Sequence, residues 1–161
     1  MADITSVTAA DRAEAHFRAG YNCSQAVYAA LAPQLGIDEL QAVRIASMLG
    51  GGIARTRGVC GAVLGALLAA GTRSGNTVAA DAAAKKQNYA EGRELMAQFR
   101  AQFGTLSCSE LLGIEEGKPE PPAPDPRTEA YYQSRPCLRC IRFGAEMAEA
   151  YLAAHPEGQQ K

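Results

Sequence analysis

Small and apolar residues recur along this chain at the three- and four-residue spacing of helices, and no sustained alternation of polar and β-branched residues indicates strands. The pattern predicts an all-α protein, a compact helical bundle of about six helices around a buried small-residue central helix. Capping residues and glycines place the helical segments from Thr8 to Gly20, Asn22 to Gly36, Asp38 to Leu49, Val59 to Gly71, Thr77 to about Gln102, Ser107 to Gly113, and Cys137 to about Ala153.

The segment from Val59 to Gly71 carries no charged side chain. It is too short for a bilayer, which needs about 20 residues, so we expect a helix buried on all sides. Within it, Gly61 and Gly65 recur at helical spacing, as do Ala62 and Ala66, which lets another backbone approach closely. The same small-residue helix is compatible with a homodimer.

A glycine triplet and two arginines precede this helix. Gly51 and Gly52 permit unusual backbone conformations, and together with Arg55 and Gly61 they are candidate cofactor-binding residues. Arg55 and Arg57 could counter a negatively charged cluster or a substrate anion. Two alternatives stay open. The glycines could simply end a helix, and the arginines could be solvated at the surface.

The length of 161 residues fits a single domain, residues 1–161. A proline-rich segment at about residues 115–126 is predicted to lie extended over the surface as a connector. Residues Thr72 to Asn76 are polar and are predicted to form a loop between the central helix and the long helix after it.

Charge and hydropathy exclude several functions. Sixteen basic and seventeen acidic residues give a net charge of −1 without a basic face, which argues against nucleic acid and acidic lipid as partners. No segment reaches transmembrane length, and the first eight residues lack the apolar run of a signal peptide, so we expect a cytoplasmic protein that does not bind membranes.

The five cysteines carry the candidate chemistry. In a reducing compartment such a number indicates metal binding, catalysis or burial more often than stable cross-links. Cys23, Cys60, Cys108 and Cys137 each fall in the first turn of a predicted helix, where unpaired N–H groups and the helix dipole favour thiolate. If these helix starts converge, they build an electropositive pocket for a group of thiolates.

Cys137 and Cys140 form a C-x-x-C motif, compatible with a redox pair or half of a metal site. Ile141 follows where covalent haem attachment needs histidine, so we expect no covalent haem. No second C-x-x-C completes a zinc ribbon.

Four motifs resemble one known family. They are Gly20-Tyr21-Asn22-Cys23-Ser24-Gln25-Ala26-Val27, Gly50-Gly51-Gly52 leading to Cys60-Gly61-Ala62-Val63-Leu64-Gly65, Cys108-Ser109-Glu110-Leu111-Leu112-Gly113, and the C-terminal cysteines. Together they are similar to the redox-active proteins named for the pattern C_GCAxxG_C_C. This chain reads Cys-Gly-Ala where the pattern reads Gly-Cys-Ala. The last cysteine of the pattern falls on Cys137; Cys140 is then an addition, or the two exchange roles.

The resemblance implies a small helical protein with a redox role and an unknown redox partner. Related split-Soret cytochromes, which also carry haem, suggest an iron–sulfur cluster as cofactor. Our first hypothesis is therefore a cluster for electron transfer held by Cys23, Cys60, Cys108 and Cys137. The alternatives are a metal-free thiol–disulfide oxidoreductase, with Cys137 and Cys140 as the local pair, and a zinc- or thiol-stabilised helical binding protein. All five cysteines are redox-active candidates.

Overall fold

A computed structural model describes residues 7–115, 117–118 and 120–157 of the chain. Within these residues it is all-helical, apart from one isolated β-bridge. The helices are α1 (Ala9–Arg18), α2 (Cys23–Ala30), α3 (Ala32–Leu35), α4 (Glu39–Ala46), α5 (Gly61–Ser74), α6 (Ala82–Phe103), α7 (Cys108–Leu112), α8 (Glu129–Ser134) and α9 (Cys137–Ala154). The described part of the chain thus has nine helices where the sequence predicts about six. Most of the segment tested for a signal peptide, residues 1–6, lies outside the described residues, as do connector residues 116 and 119.

Local capping explains most helix starts. The Asn22 side chain accepts from the Gln25 N–H while the Gln25 side chain accepts from the Asn22 N–H, which completes the predicted capping box of α2. Ser107 caps α7 through the Glu110 N–H, and Asp38 caps α4. These boundaries are set by residues adjacent in sequence, and the sequence therefore predicts them.

Three boundaries differ from prediction, and one helix, α8, is not among the predicted segments. The segment after Asn22 divides at Leu31 into α2 and α3, with Pro33 in the second piece. The segment after Asp38 ends at Ala46, not at Leu49. The long helix α6 begins after Asp81, whose side chain accepts from the Ala84 N–H, and not at Thr77. Helix α8 starts after Thr128, close behind the connector.

The expected loop from Thr72 is also wrong in its first part, because α5 continues to Ser74. Its last turn is held by distant carbonyls: Arg73 donates to Gln34 O at 2.6 Å and to His155 O at 2.8 Å. Such long-range contacts are not visible in a local sequence pattern.

The core is a ring of four helices in which α1 packs on α2, α2 on α5, α5 on α9 and α9 on α1. Helix α4 covers α2, and α6 lies against α5 and α9. Small residues bring the backbones together: a Cβ atom at Gly65 of α5 would lie 2.8 Å from Val27 Cβ of α2, and one at Gly144 of α9 would lie 2.9 Å from Ala62 O of α5.

Helix α5 is not buried on all sides. Its face toward α2 and α9 is buried, whereas Leu64, Leu67 and Leu68 remain half-buried along a shallow groove beside Ile45 and Leu49. None of the described helices combines the length and apolarity needed to cross a membrane.

Candidate functional site

All five cysteines line one cavity of about 380 Å³. The cavity lies where α2, α5, α7 and α9 begin, and its remaining walls come from the glycine and arginine segment before α5 and from the connector. The other candidate residues named from the sequence, Gly51, Gly52, Arg55 and Gly61, line it as well. Residues far apart in the chain therefore share one site.

A short pairing of backbone segments places Cys60 beside Cys108. Val59 and Ser107 form the isolated antiparallel β-bridge. Next to it, the Cys60 N–H donates to Leu106 O at 2.7 Å, and the Cys108 N–H donates to Gly58 O at 2.7 Å. The segments that lead into α5 and α7 thus run side by side up to the two cysteines.

The close approach of α2 and α5 adds Cys23. A Cβ atom at Gly61 would lie 3.0 Å from Cys23 Cβ and 3.1 Å from Leu49 O, so a larger residue does not fit between them. The Asn22 amide donates to Ser47 O at 2.9 Å, which ties the start of α2 to the turn after α4. The glycine and the cap together fix Cys23 at the cavity wall.

The four predicted helix-start positions are confirmed. Cys23, Cys108 and Cys137 are the first residues of α2, α7 and α9, and Cys60 is the N-cap of α5. Cys140 lies one turn into α9 and is 1% exposed. The four helix starts therefore converge on one cavity, as hypothesised from the sequence.

The thiols interact as two pairs, in each of which one thiol changes the pKa of the other. Cys23 and Cys137, both half-buried, form what we call the outer pair. Cys60 and Cys140, both buried, form the inner pair. The neighbours of the C-x-x-C motif, Cys137 and Cys140, thus belong to different pairs, each with its partner on another helix.

The outer pair contains one acidic thiol. The hydrogen bond from Cys23 lowers the pKa of Cys137 to about 7, against burial and with help from the positive charges of Arg135, Arg57 and Arg127. The same hydrogen bond, together with burial, raises the pKa of Cys23 well above its ordinary value. Cys137 is thus the thiol of the pair that ionises first, and Cys23 keeps its proton to higher pH.

The inner pair has the same asymmetry. The hydrogen bond from Cys140 lowers the pKa of Cys60, and the backbone N–H groups of Ala62 and Val63 lower it further, against burial. The pKa of Cys140 is raised by that hydrogen bond and by burial. The N–H groups at the start of α5 thus lower the pKa of the Cys60 thiol, as expected for a helix N-terminus.

Cys108 stands apart from both pairs. Burial raises the pKa of Cys108, although Arg57 opposes this by donating from Nη1 to Sγ at 3.7 Å. The expectation that all four helix starts favour thiolate is therefore wrong for Cys23 and Cys108. Burial and the sharing of a proton outweigh the helix start at these two positions.

The segment before α5 has an unusual backbone. Six of its residues adopt left-handed φ angles between 50° and 70°: Gly51, Gly52, Ile53, Ala54, Arg55 and Arg57. We call residues 51–57 the left-handed loop. Each non-glycine residue in this conformation costs roughly 1–2 kcal/mol. The loop is closed by hydrogen bonds from Arg57 N to Gly51 O at 3.1 Å and from Gly58 N to Gly52 O at 2.8 Å.

The loop directs its arginines to the connector. Arg57 Nε donates to Glu120, Arg55 Nη1 donates to Asp125 at 3.3 Å, and Arg55 Nε donates to Pro121 O at 3.1 Å. Arg135 Nη2 also donates to Asp125, at 2.8 Å. These ion pairs lower the pKa values of both carboxyls and hold the connector against the cavity.

Sequence reasoning did not identify Arg127 and Arg135 as site residues. Arg127 donates to Phe17 O and Tyr21 O and lies over the Phe17 ring, and Arg135 lies over the Tyr131 ring. Both line the cavity. They flank α8, which the sequence did not reveal, so the only available signal was their proximity to the C-x-x-C motif.

The thiols are a suitable donor set for soft metals and iron–sulfur clusters. In residues 7–115, 117–118 and 120–157, however, no three His, Cys, Asp or Glu side chains are grouped closely enough to hold a metal ion. Arg57 lines the cavity, and its buried Nη2 atom makes no hydrogen bond with the described residues. The cysteine sulfurs and the unused N–H of Arg57 are chemically suited to an anionic cluster. The positions of the described side chains are those of paired thiols.

Comparison with known proteins identifies one family. The model of the family described as "Putative redox-active protein (C_GCAxxG_C_C)" matches residues 21–151. No curated protein and no solved structure matches the chain significantly. Because the family match covers most of the chain, the chain belongs to the C_GCAxxG_C_C family.

Proposed function

We propose that this member of the C_GCAxxG_C_C family carries out its redox role by thiol–disulfide exchange at the outer pair, Cys137 and Cys23. The observation that supports this proposal best is that Cys23 and Cys137, both half-buried, line one cavity as an interacting pair in which Cys137 has a pKa of about 7. A thiolate formed near neutral pH is the attacking species in such exchange, and a neighbouring thiol is needed to complete it.

The reaction has two steps. The Cys137 thiolate attacks one sulfur of a substrate disulfide; a Cys137–substrate disulfide forms, the substrate S–S bond breaks, and one substrate thiolate leaves. Cys23 then attacks Cys137 Sγ, which forms the Cys23–Cys137 disulfide and releases the second substrate thiolate, while the Cys23 proton neutralises a departing thiolate. Two electrons pass from the protein to the substrate, which ends as one thiol and one thiolate, and the thiolate takes its proton from the solvent.

The test uses the full chain, reduced and freed of metal, with dithiodiethanol as substrate. Mass spectrometry should find the Cys23–Cys137 disulfide in the unaltered protein and a mixed disulfide on Cys137 in Cys23→Ser, which lacks the resolving thiol. Cys108→Ser is the matched control, because Cys108 belongs to neither pair, and it should still form the Cys23–Cys137 disulfide. Reaction at Cys108 alone, or no reaction at Cys137, contradicts the proposal.

The second candidate is an iron–sulfur-type cluster for electron transfer. It is favoured by the convergence of Cys23, Cys60, Cys108 and Cys137 on one cavity, and these four residues would hold it. When bound, the cluster would supply one-electron chemistry. Arg57 would then place positive charge beside the sulfur of Cys108.

Anaerobic reconstitution tests this candidate. Brown protein with iron, acid-labile sulfide and visible absorption supports it, and each property should be lost in a variant lacking Cys23 and Cys60. Cys140→Ser, which alters the cysteine outside the set, should retain the cluster. Protein that stays colourless and free of iron contradicts it.

A further inference from the structure

Arg57, which lines the cavity, carries a buried donor that has no acceptor among the described residues. The Arg57 side chain is 9% exposed. Its Nε binds Glu120 and its Nη1 donates to Cys108, but its Nη2 is buried and makes no hydrogen bond with the described residues. An Asp125 oxygen lies 3.9 Å from Nη2, within reach of a charge but beyond a hydrogen bond. A buried donor left in this state is unfavourable unless a ligand satisfies it.

The other cavity arginines have their hydrogen bonds directed elsewhere. Arg127 donates to Phe17 O at 3.0 Å and to Tyr21 O at 3.1 Å, and packs on an aromatic ring. Arg55 and Arg135 both donate to Asp125. Arg57 Nη2 is therefore the guanidinium nitrogen for which the described residues leave a buried, unused donor.

The charge of the wall favours an anion. Four arginines line the cavity, and Asp125 is the single carboxylate among the described lining residues. Glu120 adds a second negative charge from the connector. Arginines thus outnumber carboxylates around the outer pair, which attracts negatively charged ligands into a cleft of low dielectric constant.

We propose that the substrate of the outer pair is a small disulfide that carries a carboxylate, and that this carboxylate accepts a hydrogen bond from Arg57 Nη2. The proposal rests on the proposed function, because it names the substrate class of that exchange reaction. A carboxylate matches the planar guanidinium, and the same side chain touches Cys108 within the cavity that contains Cys137. Arg57 is then the residue that determines specificity.

The experiment compares two disulfides of similar size on the full, reduced chain. Dithiodipropionate carries carboxylates, and dithiodiethanol is uncharged. Each rate of Cys137 oxidation, read by quenching and mass spectrometry, is divided by the rate with a free cysteine peptide. The unaltered protein should prefer dithiodipropionate by about tenfold, the effect of a hydrogen bond between charged groups, and Arg57→Gln should lose this preference.

Arg135→Gln is the matched control, since it also removes one positive charge from the wall but not the unused donor. It should slow both disulfides, because Arg135 helps to lower the pKa of Cys137, and it should reduce the preference for dithiodipropionate by clearly less than Arg57→Gln does. A preference unchanged in Arg57→Gln, or lost equally in Arg135→Gln, overturns the proposal. Should Arg57→Gln not fold, as judged by circular dichroism, the unaltered protein decides: equal normalised rates with the two disulfides overturn it.

The outcomes separate the two levels of the argument. If neither disulfide oxidises the outer pair, the proposed function fails. If both react but Arg57 does not affect the choice between them, the exchange reaction stands and the substrate class is wrong.

Discussion

Cys23 interacts with Cys137 in the cavity wall, and this interaction joins the first residue of α2 to the first residue of α9. The two residues lie near opposite ends of the chain, yet each determines the proton affinity of the other. The contact is both a packing interaction between core helices and the basis of the chemistry proposed for the site. The reactivity of Cys137 as a function of pH should therefore depend on Cys23.

Alkylation of Cys137 by iodoacetamide should increase as pH rises through about 7, the pKa of this thiol, and level off above it. In Cys23→Ala the hydrogen bond is lost, so the pKa should rise toward about 8.5 and the rate at neutral pH should fall about tenfold. The measurement is the rate at Cys137 by mass spectrometry over a range of pH. Cys108→Ala should keep the midpoint near that of the unaltered protein; equal midpoints in both variants would contradict the role of Cys23.

Mild oxidation should link the outer pair before the inner pair. Cys60 and Cys140 are 6% and 1% exposed, so an oxidant reaches them later than the half-buried Cys23 and Cys137. Peptide mapping over time should find Cys23–Cys137 first and Cys60–Cys140 second. A Cys137–Cys140 disulfide as the main product would show that the C-x-x-C motif acts as the local pair after all.

Two glycines within α5, Gly65 and Gly71, offer a matched pair of substitutions. In Gly65→Ala the new Cβ would lie 2.8 Å from Val27 Cβ and 2.9 Å from Ser24 O, so α2 must move and the free energy of unfolding should fall by roughly 1–3 kcal/mol. In Gly71→Ala the new Cβ meets nothing within 4 Å, and the protein should gain about 0.5–1 kcal/mol from the better helix former.

Urea unfolding followed by circular dichroism measures both glycine variants. A similar change in the two would mean that the close approach of α2 and α5 is not needed for stability.

The connector should detach when its ion pairs are broken. Asp125→Asn removes the negative charge shared by Arg55 and Arg135, and proteolysis between residues 115 and 127 should accelerate roughly two- to fivefold, as a combined loss of about 0.5–1 kcal/mol from these partly exposed ion pairs implies. Glu115→Gln, an exposed acid on the same segment, is the control for charge alone and should change little.

The same ion pairs make the attachment sensitive to acid. The folded-state pKa values of Asp125 and Glu120 are lowered, chiefly by hydrogen bonds from Arg135 and Arg57. Their contribution is therefore present above the ordinary carboxyl pKa of about 4 and is lost as pH falls through the lower folded-state values. Salt should weaken the attachment in the same direction at neutral pH.

How far the sequence predicts this protein depends on the range of the interactions involved. The capping box at Asn22 and Gln25 and the cap at Ser107 are local, so the positions of Cys23 and Cys108 at helix starts could be inferred. The start of α6 could not, because Thr77 and Asp81 are both suitable caps and nothing local chooses between them.

The pairing of the cysteines had no sequence signal. Cys23 with Cys137 and Cys60 with Cys140 are combinations set by how α9 packs against α2 and α5, whereas the local motif favours Cys137 with Cys140. Likewise the burial of Arg57 depends on Glu120 and the connector, which are distant in sequence. The set of site residues could thus be listed, but not their partners.

The left-handed loop makes the protein sensitive to amino-acid chirality in an unusual way. At Ala54, with φ of 50°, the backbone has the hand that a mirror-image amino acid prefers. A chain assembled by chemical ligation with D-alanine at that position would therefore have less backbone strain in the wall of the cysteine cavity. A D-alanine placed within α5 would instead disrupt the helix.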